Sequence, residues 1–219
     1  MRIRECGDSM LLVEFAAVID PQVNQRVIAL AARLRDRRAR GVRDVAPGYC
    51  TVGVHFDPVQ TDLRALETAI ADEAALVQAA FTESAKTPIE IGVLYGGEAG
   101  PDLAAVAEHA GCTSADVVER HAARIYRVYM LGFVPGFAYM GRVDPTIAMP
   151  RHRAPRERVP IGSVGIAGEQ TGVYPVASPG GWQLIGRTTT VMFDPTRSPA
   201  SLLAPGDEVR FVPLAGSCR

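Results

Sequence analysis

The residues best equipped for chemistry lie in one stretch of the chain. Between positions 132 and 187, ten glycines and seven prolines accompany only three acids, Asp144, Glu157 and Glu169. Backbone punctuation this dense fixes loop shapes, and loops on a rigid scaffold are where binding groups sit. At these turns recur Tyr139, Arg151, His152, Arg156, Gln170, Tyr174, Ser178, Trp182, Gln183 and Arg187. A guanidinium takes carboxylate or phosphate through a planar fork, and the chain invests heavily in it, with 22 arginines against a single lysine, Lys86. That lone lysine has no Gly-rich phosphate loop around it, which excludes a Walker-type NTPase. Its polar surroundings argue against a Schiff-base mechanism, which needs a desolvated amine. Gln170 can both donate and accept, as an amide ligand requires. His152 is the general-base candidate by position, whereas His55, His109 and His121 read as structural histidines. Trp182 reads as a core or rim aromatic.

The elements that must hold these groups differ along the chain. In the first third, Ile3–Cys6 and Met10–Phe15 read as strands around Gly7-Asp8-Ser9. Asp20 caps a helix opened by Pro21, with Val23, Val27, Leu30, Ala31 and Leu34 on one face. Arginines crowd its end, where they suit a solvated helix terminus. Val42–Val45 and Thr51–Phe56 form a second strand pair, and a second helix runs from Asp62 to Ala80 with Thr61 as its cap. Two strands, helix, two strands, helix predicts a ferredoxin-like α/β sandwich over residues 1–84. The polar stretch Thr82–Thr87 before Pro88 is the candidate linker.

From 85 to 219 the pattern changes. Ile89–Leu94 reads as a strand. One helix is opened by Pro101 and ends near Gly111, and a second is capped by Thr113 with Asp116. Short strands then follow at 126–130, 162–167, 181–186, 190–193 and 208–212, separated by Gly/Pro turns. That spacing predicts a closed or nearly closed β-barrel with the candidate groups at its mouth, and so an α+β chain.

Composition sets the outer bounds. With 219 residues, 47% apolar and 21% charged, the chain is long enough for one large core or two small ones and is neither disordered nor fibrous. A net charge of −1 gives no global field for nucleic acid or anionic lipid. The absence of a long apolar run and of an apolar amino-terminal segment predicts a cytoplasmic protein without a membrane partner. Cys6, Cys50, Cys112 and Cys218 show neither CxxC nor zinc-ligand spacing, so no metal site is expected.

Two long motifs carry a family resemblance: the run Tyr129–Gly141, and PIGSVGIAGEQTGVYPVASPGGWQLIGR from Pro160 to Arg187. Tyr95-Gly96-Gly97-Glu98, Gly100-Pro101-Asp102-Leu103 and Pro47-Gly48-Tyr49 support them. Together they resemble the family that includes the B component of 5-oxoprolinase, the first component of allophanate hydrolase and a bacterial sporulation-kinase inhibitor. The resemblance implies a ferredoxin-like amino-terminal domain and a cyclophilin-like barrel. It also implies one part of an ATP-dependent amidohydrolase, paired with a homologous larger subunit (the C component of 5-oxoprolinase or the second of allophanate hydrolase), and leaves open a third, A-type component. ATP would be shared with the partner. The roles that follow are His152, Gln170 and Arg187 as catalytic residues, with Tyr139, Arg151, Arg156, Tyr174, Ser178 and Trp182 contacting substrate. The alternatives it leaves open are an allophanate hydrolase or urea carboxylase component, and an inhibitor of a sensor histidine kinase.

Overall fold

Apolar residues recur every second position in the first strands and every third or fourth in two long helices, and these periods build the amino-terminal unit. The computed structural model of the protein describes residues 1–16, 18–79 and 87–216. The chain divides into two compact units, Met1–Ala85 and Lys86–Arg219. Most of the expected linker, Lys86 and Cys218 fall outside the described residues.

The first unit runs β1 (Arg2–Glu5), β2 (Met10–Glu14), α1 (Pro21–Arg37), β3 (Val42–Pro47), β4 (Thr51–Phe56) and α2 (Leu63–Ala79). Its four strands pair antiparallel in the order β1-β2-β4-β3. Leu11, Val13, Val52 and Val54 from the sheet meet Val27, Leu30 and Ile70 from the helices in one buried cluster. The Asp20 side chain accepts from the Gln22 and Val23 N–H groups and so caps α1, as expected. At α2 the cap is one residue later than the sequence suggests. The Asp62 carboxylate, three positions before Ala65, accepts its N–H, a contact that Thr61 is one residue too early to make. The arginine-rich end of α1 turns partly inward to protein: Arg33 and Arg37 both pair with Glu73 of α2, and Arg35 donates to the Val45 carbonyl.

The second unit contains β5 (Ile89–Tyr95), α3 (Leu103–Ala110), α4 (Ser114–Ala122), β6 (Ile125–Leu131), β7 (Ala138–Gly141), β8 (Arg156–Val159), β9 (Ser163–Ala167), β10 (Gln170–Val173), β11 (Ser178–Gly180), β12 (Gln183–Arg187) and β13 (Glu208–Pro213). Seven strands close a barrel in the order β10-β7-β6-β13-β5-β12-β9, while β8 and β11 form a separate two-stranded ribbon. Among the described strands of the barrel, only β5 and β13 run parallel. A strand expected at 190–193 does not form. Phe193 makes an isolated bridge to Ser201, and the Asp194 carboxylate accepts from both the N–H and hydroxyl of Thr196, folding the chain into a turn.

Alternation along the strands separates the inside of the barrel from the outside. Val164, Ile166, Val173, Ala138, Met140 and Ile185 point inward to a continuous core. His121 lies in that core, fully buried, and stacks on Phe211 at 4.7 Å. The Thr171 hydroxyl donates to the Gly165 carbonyl (3.0 Å), so it accepts from His121 Nε2 (2.9 Å), and Nδ1 accepts from the Tyr95 hydroxyl (2.8 Å). Both ring nitrogens are thus satisfied with the imidazole neutral. Burial pushes its pKa down to about 3.

Candidate functional site

The residues between these inward positions are small where they matter. Gly165 and Gly172 face each other across β9 and β10 on the outer side of the wall. A Cβ on Gly172 would stand 2.9 Å from the Ala138 carbonyl, 3.2 Å from Phe137 and 3.3 Å from Trp182. One on Gly165 would stand 3.1 Å from the Trp182 Cβ. The bare backbone is what lets Trp182 lie against the barrel. Around it gathers a second apolar cluster of Phe137, Val159, Ala167, Tyr174, Trp182 and Leu184, with Val134 and Tyr139 packed against it. Gly172→Ala is therefore expected to cost roughly 1–3 kcal/mol through overpacking, read as a lower urea midpoint with unchanged slope.

Phe137 is the hub of this cluster. Its ring is edge-on to Trp182 (5.3 Å, 90°), Tyr174 (5.2 Å), Tyr139 (4.8 Å) and Phe133 (5.7 Å). Phe133 is held out at the rim, 59% exposed, with φ +71°. The Val134 N–H reaches back to the Gly132 carbonyl across it, the tight and strained turn that such a φ permits. Between this aromatic wall and the β8–β11 ribbon opens a cavity of about 290 Å³, lined further by Arg151, His152, Pro155 and residues 179–181 at the end of β11. Burial raises the pKa of the Tyr139 and Tyr174 phenols, with the Arg151 guanidinium pulling both the other way. Both hydroxyls are therefore neutral at physiological pH, beside a cation.

Of the residues expected from the sequence, Tyr139, Arg151, His152, Tyr174 and Trp182 come together in this lining. They gather on the outer flank of the barrel, not at its mouth, because the interior is filled by the apolar core. Arg156 stands beside them with its fork turned to protein: one nitrogen donates to Asp102 Oδ1 (2.7 Å) and the other approaches the Trp182 carbonyl (3.5 Å). Ser178 is buried in β11 next to the lining residue Pro179, and its hydroxyl has no partner among the described residues. Gln170 and Arg187 are not in the lining. They pair with Ala167 and Ser163, the two ends of β9, which places them about 13 Å apart along the strand.

Asp102 is the site residue that its sequence position conceals. It sits before α3, where an aspartate ordinarily caps the helix, yet its side chain makes no capping bond. The carboxylate turns to the site. Oδ2 accepts from the Leu184 N–H (2.7 Å) and faces His152 Nε2 (3.3 Å), while Oδ1 takes Arg156. Gly100 allows this approach, since a Cβ there would stand 2.0 Å from the Ile185 carbonyl. Phe133 and Phe137 also escape a reading of single residues, although both belong to the Tyr129–Gly141 motif. No group of three His, Cys, Asp or Glu residues among those described could hold a metal.

Known proteins resemble this chain in sequence and in fold. A family model described as carboxyltransferase domain, subdomain C and D, matches residues 1–203. The chain is 39% identical to the 5-oxoprolinase B subunit of Bacillus subtilis (strain 168), over 98% of this chain and 93% of that one. It is 44% identical to the 5-oxoprolinase B subunit of Escherichia coli O157:H7, over 94% and 93%. The crystal structure of TTHA0988 superposes with a TM-score of 0.84 at 33% identity; it covers all of this chain, which spans only 41% of the length of that one. The K. lactis urea amidolyase superposes at 0.76 with 22% identity over 97% of this chain and 15% of its own, a likeness of fold. A family model spanning most of the sequence, and relatives matched over nearly their whole length, establish that the chain belongs to the carboxyltransferase-domain family, subdomains C and D.

Proposed function

We propose that this chain is the B-type component of a heteromeric, ATP-dependent 5-oxoprolinase, which converts 5-oxo-L-proline, ATP and water to L-glutamate, ADP and phosphate. The observation that carries this reading is the match to two 5-oxoprolinase B subunits over 93% of each. The likeness to urea amidolyase is confined to the fold, so the allophanate and urea carboxylase readings have weaker support, and no feature of the chain favours the kinase-inhibitor reading.

The aromatic cavity is the place we assign to the lactam. Its volume lies at the lower limit of small-molecule sites, roughly 300 Å³, which suits a five-membered ring with one carboxylate better than a nucleoside triphosphate. The ring lies against Trp182 and Phe137, the carboxylate takes Arg151, and the neutral phenols donate toward the amide oxygen. ATP belongs largely to the partner, a homologous larger subunit, with an A-type component as a possible third member. The TTHA0988 chain, of which this sequence matches 41%, supports a larger assembly. The strand order β1-β2-β4-β3 supports a ferredoxin-like first domain, the motif entered one strand early. The closed barrel supports a cyclophilin-like second one, with domains over 1–84 and 85–219.

The test is reconstitution. The purified chain alone is expected to release no glutamate from 5-oxoproline and ATP, and the chain combined with its partner subunits is expected to release glutamate and phosphate in equal amounts. Turnover by the chain alone would overturn the shared site, and an assembled complex that ignores 5-oxoproline would overturn the substrate.

A further inference from the structure

Within that reading, one residue has a role that neither its position nor the relatives assign. Asp102 is a nearly buried carboxylate, its side chain 10% exposed, held by three donors from distant parts of the unit. Two of them, the Leu184 N–H and Arg156, fix both oxygens in place at 2.7 Å. The Asp102 N–H also donates to the Leu184 carbonyl (2.9 Å), which clamps the residue to β12 from both sides. The backbone of His152 is pinned as well, its N–H donating to the Gly181 carbonyl (2.7 Å). An ionised carboxylate can only accept. A ring nitrogen facing it must therefore carry a proton, so the neutral form of His152 is the Nε2–H tautomer. Nδ1 is then the lone-pair nitrogen, on a residue lining the cavity and with no protein partner for it among the described residues.

We propose that Asp102 is a positioning residue of this site, holding His152 in the tautomer that offers Nδ1 to the cavity as a proton acceptor. This rests on the cavity being the substrate site. During turnover a proton passes from an O–H or N–H held in the cavity to Nδ1. The imidazolium so formed keeps its Nε2–H on the Asp102 carboxylate, and the proton returns to product. Asp102 does not touch substrate; it sets which nitrogen can.

Nitrogen-15 NMR of the isolated chain reads the tautomer without any ligand. In the wild-type protein the neutral His152 ring is expected to be the Nε2–H tautomer. In Asp102→Asn an amide oxygen that keeps Arg156 puts the NH2 in the place of Oδ2, against both the Leu184 N–H and Nε2, so the ring is expected to move to the Nδ1–H form. In the assembled enzyme the same variant should lower kcat by about a hundredfold or more, with KM changed less than about threefold. His152→Ala should match that loss, and the double variant should lose little more. A wild-type ring found as Nδ1–H overturns the proposal, and that measurement needs no variant to fold. So does an Asp102→Asn enzyme with wild-type kcat. A wild-type complex inactive on 5-oxoproline, with the tautomer as expected, overturns the functional reading while leaving the placement of the ring intact.

Discussion

Arg151→Ala is expected to reduce kcat/KM of the assembled enzyme by about a hundredfold or more, because a charge-assisted contact to substrate is worth roughly 2.7–4 kcal/mol when it strengthens in the transition state. Arg151 is exposed apart from the face it turns to the cavity, and its charge reaches both lining phenols. Its removal should leave the free energy of unfolding within about 0.5 kcal/mol of wild type, as for an exposed residue. Arg151→Lys should recover only part of the activity, since a point charge replaces a planar fork. Parallel measurements on Gln170→Ala and Arg187→Ala locate the chemistry. These two residues stand at opposite ends of β9 and outside the lining. If either loses activity as Arg151→Ala does, with fold and pairing intact, the reacting centre lies at that end of the barrel and not in the aromatic cavity.

The second large effect is on stability. His121 is buried neutral with its pKa near 3, against about 6.5 in an unfolded chain. Below pH 6.5 the unfolded state binds a proton that the folded state refuses, so unfolding becomes easier as pH falls. The slope is about 1.4 kcal/mol per pH unit until the folded pKa is reached. Stability is full above about pH 6.5 and declines steadily through pH 5 and 4. Carboxylates that the fold holds below their ordinary range, among them Asp144 beside Thr146 and Arg124 and Glu73 beside Arg33 and Arg37, act lower. Their contribution is present above about pH 4 and is lost only as pH falls through their depressed values. The interval between about pH 6.5 and 4.5 therefore isolates the histidine. Urea titrations across it should show the slope in the wild-type protein and lose it in His121→Leu. That variant should be less stable at pH 7 by about 1–3 kcal/mol, because the Tyr95 hydroxyl loses its acceptor. An unchanged slope in His121→Leu would contradict the assignment.

Much of this architecture is legible in the sequence, and the parts that are not have physical causes. The first unit is plain because its strands alternate and its helices carry caps: Asp20 is read correctly, and Asp62 is missed by a single position in favour of Thr61. The barrel is recognisable as a run of short strands. β7, β8, β10 and β11 escape, since three or four residues among glycines and prolines show no period. The glycines at 165 and 172 mask the alternation that would have separated inside from outside, and so the cavity is expected at a mouth and found on a flank. Five of the expected site residues meet because Tyr139 on β7 lies beside the turns that carry the other four. Asp102 could not be found this way. It lies 50 and 54 residues from the two side chains it serves, and only the closure of β12 against β5 and β9 brings them together.

Trp182 is the single tryptophan of the chain and lines the cavity, which makes it a direct reporter of the central claim. The chain can be labelled with 5-fluorotryptophan, assembled with unlabelled partner subunits, and titrated with 5-oxoproline while its one fluorine resonance is followed. The expected result is a saturable shift of that resonance at concentrations that support turnover, abolished in Arg151→Ala. A resonance that stays fixed while the same sample hydrolyses 5-oxoproline would place the substrate elsewhere in the assembly and contradict the site described above.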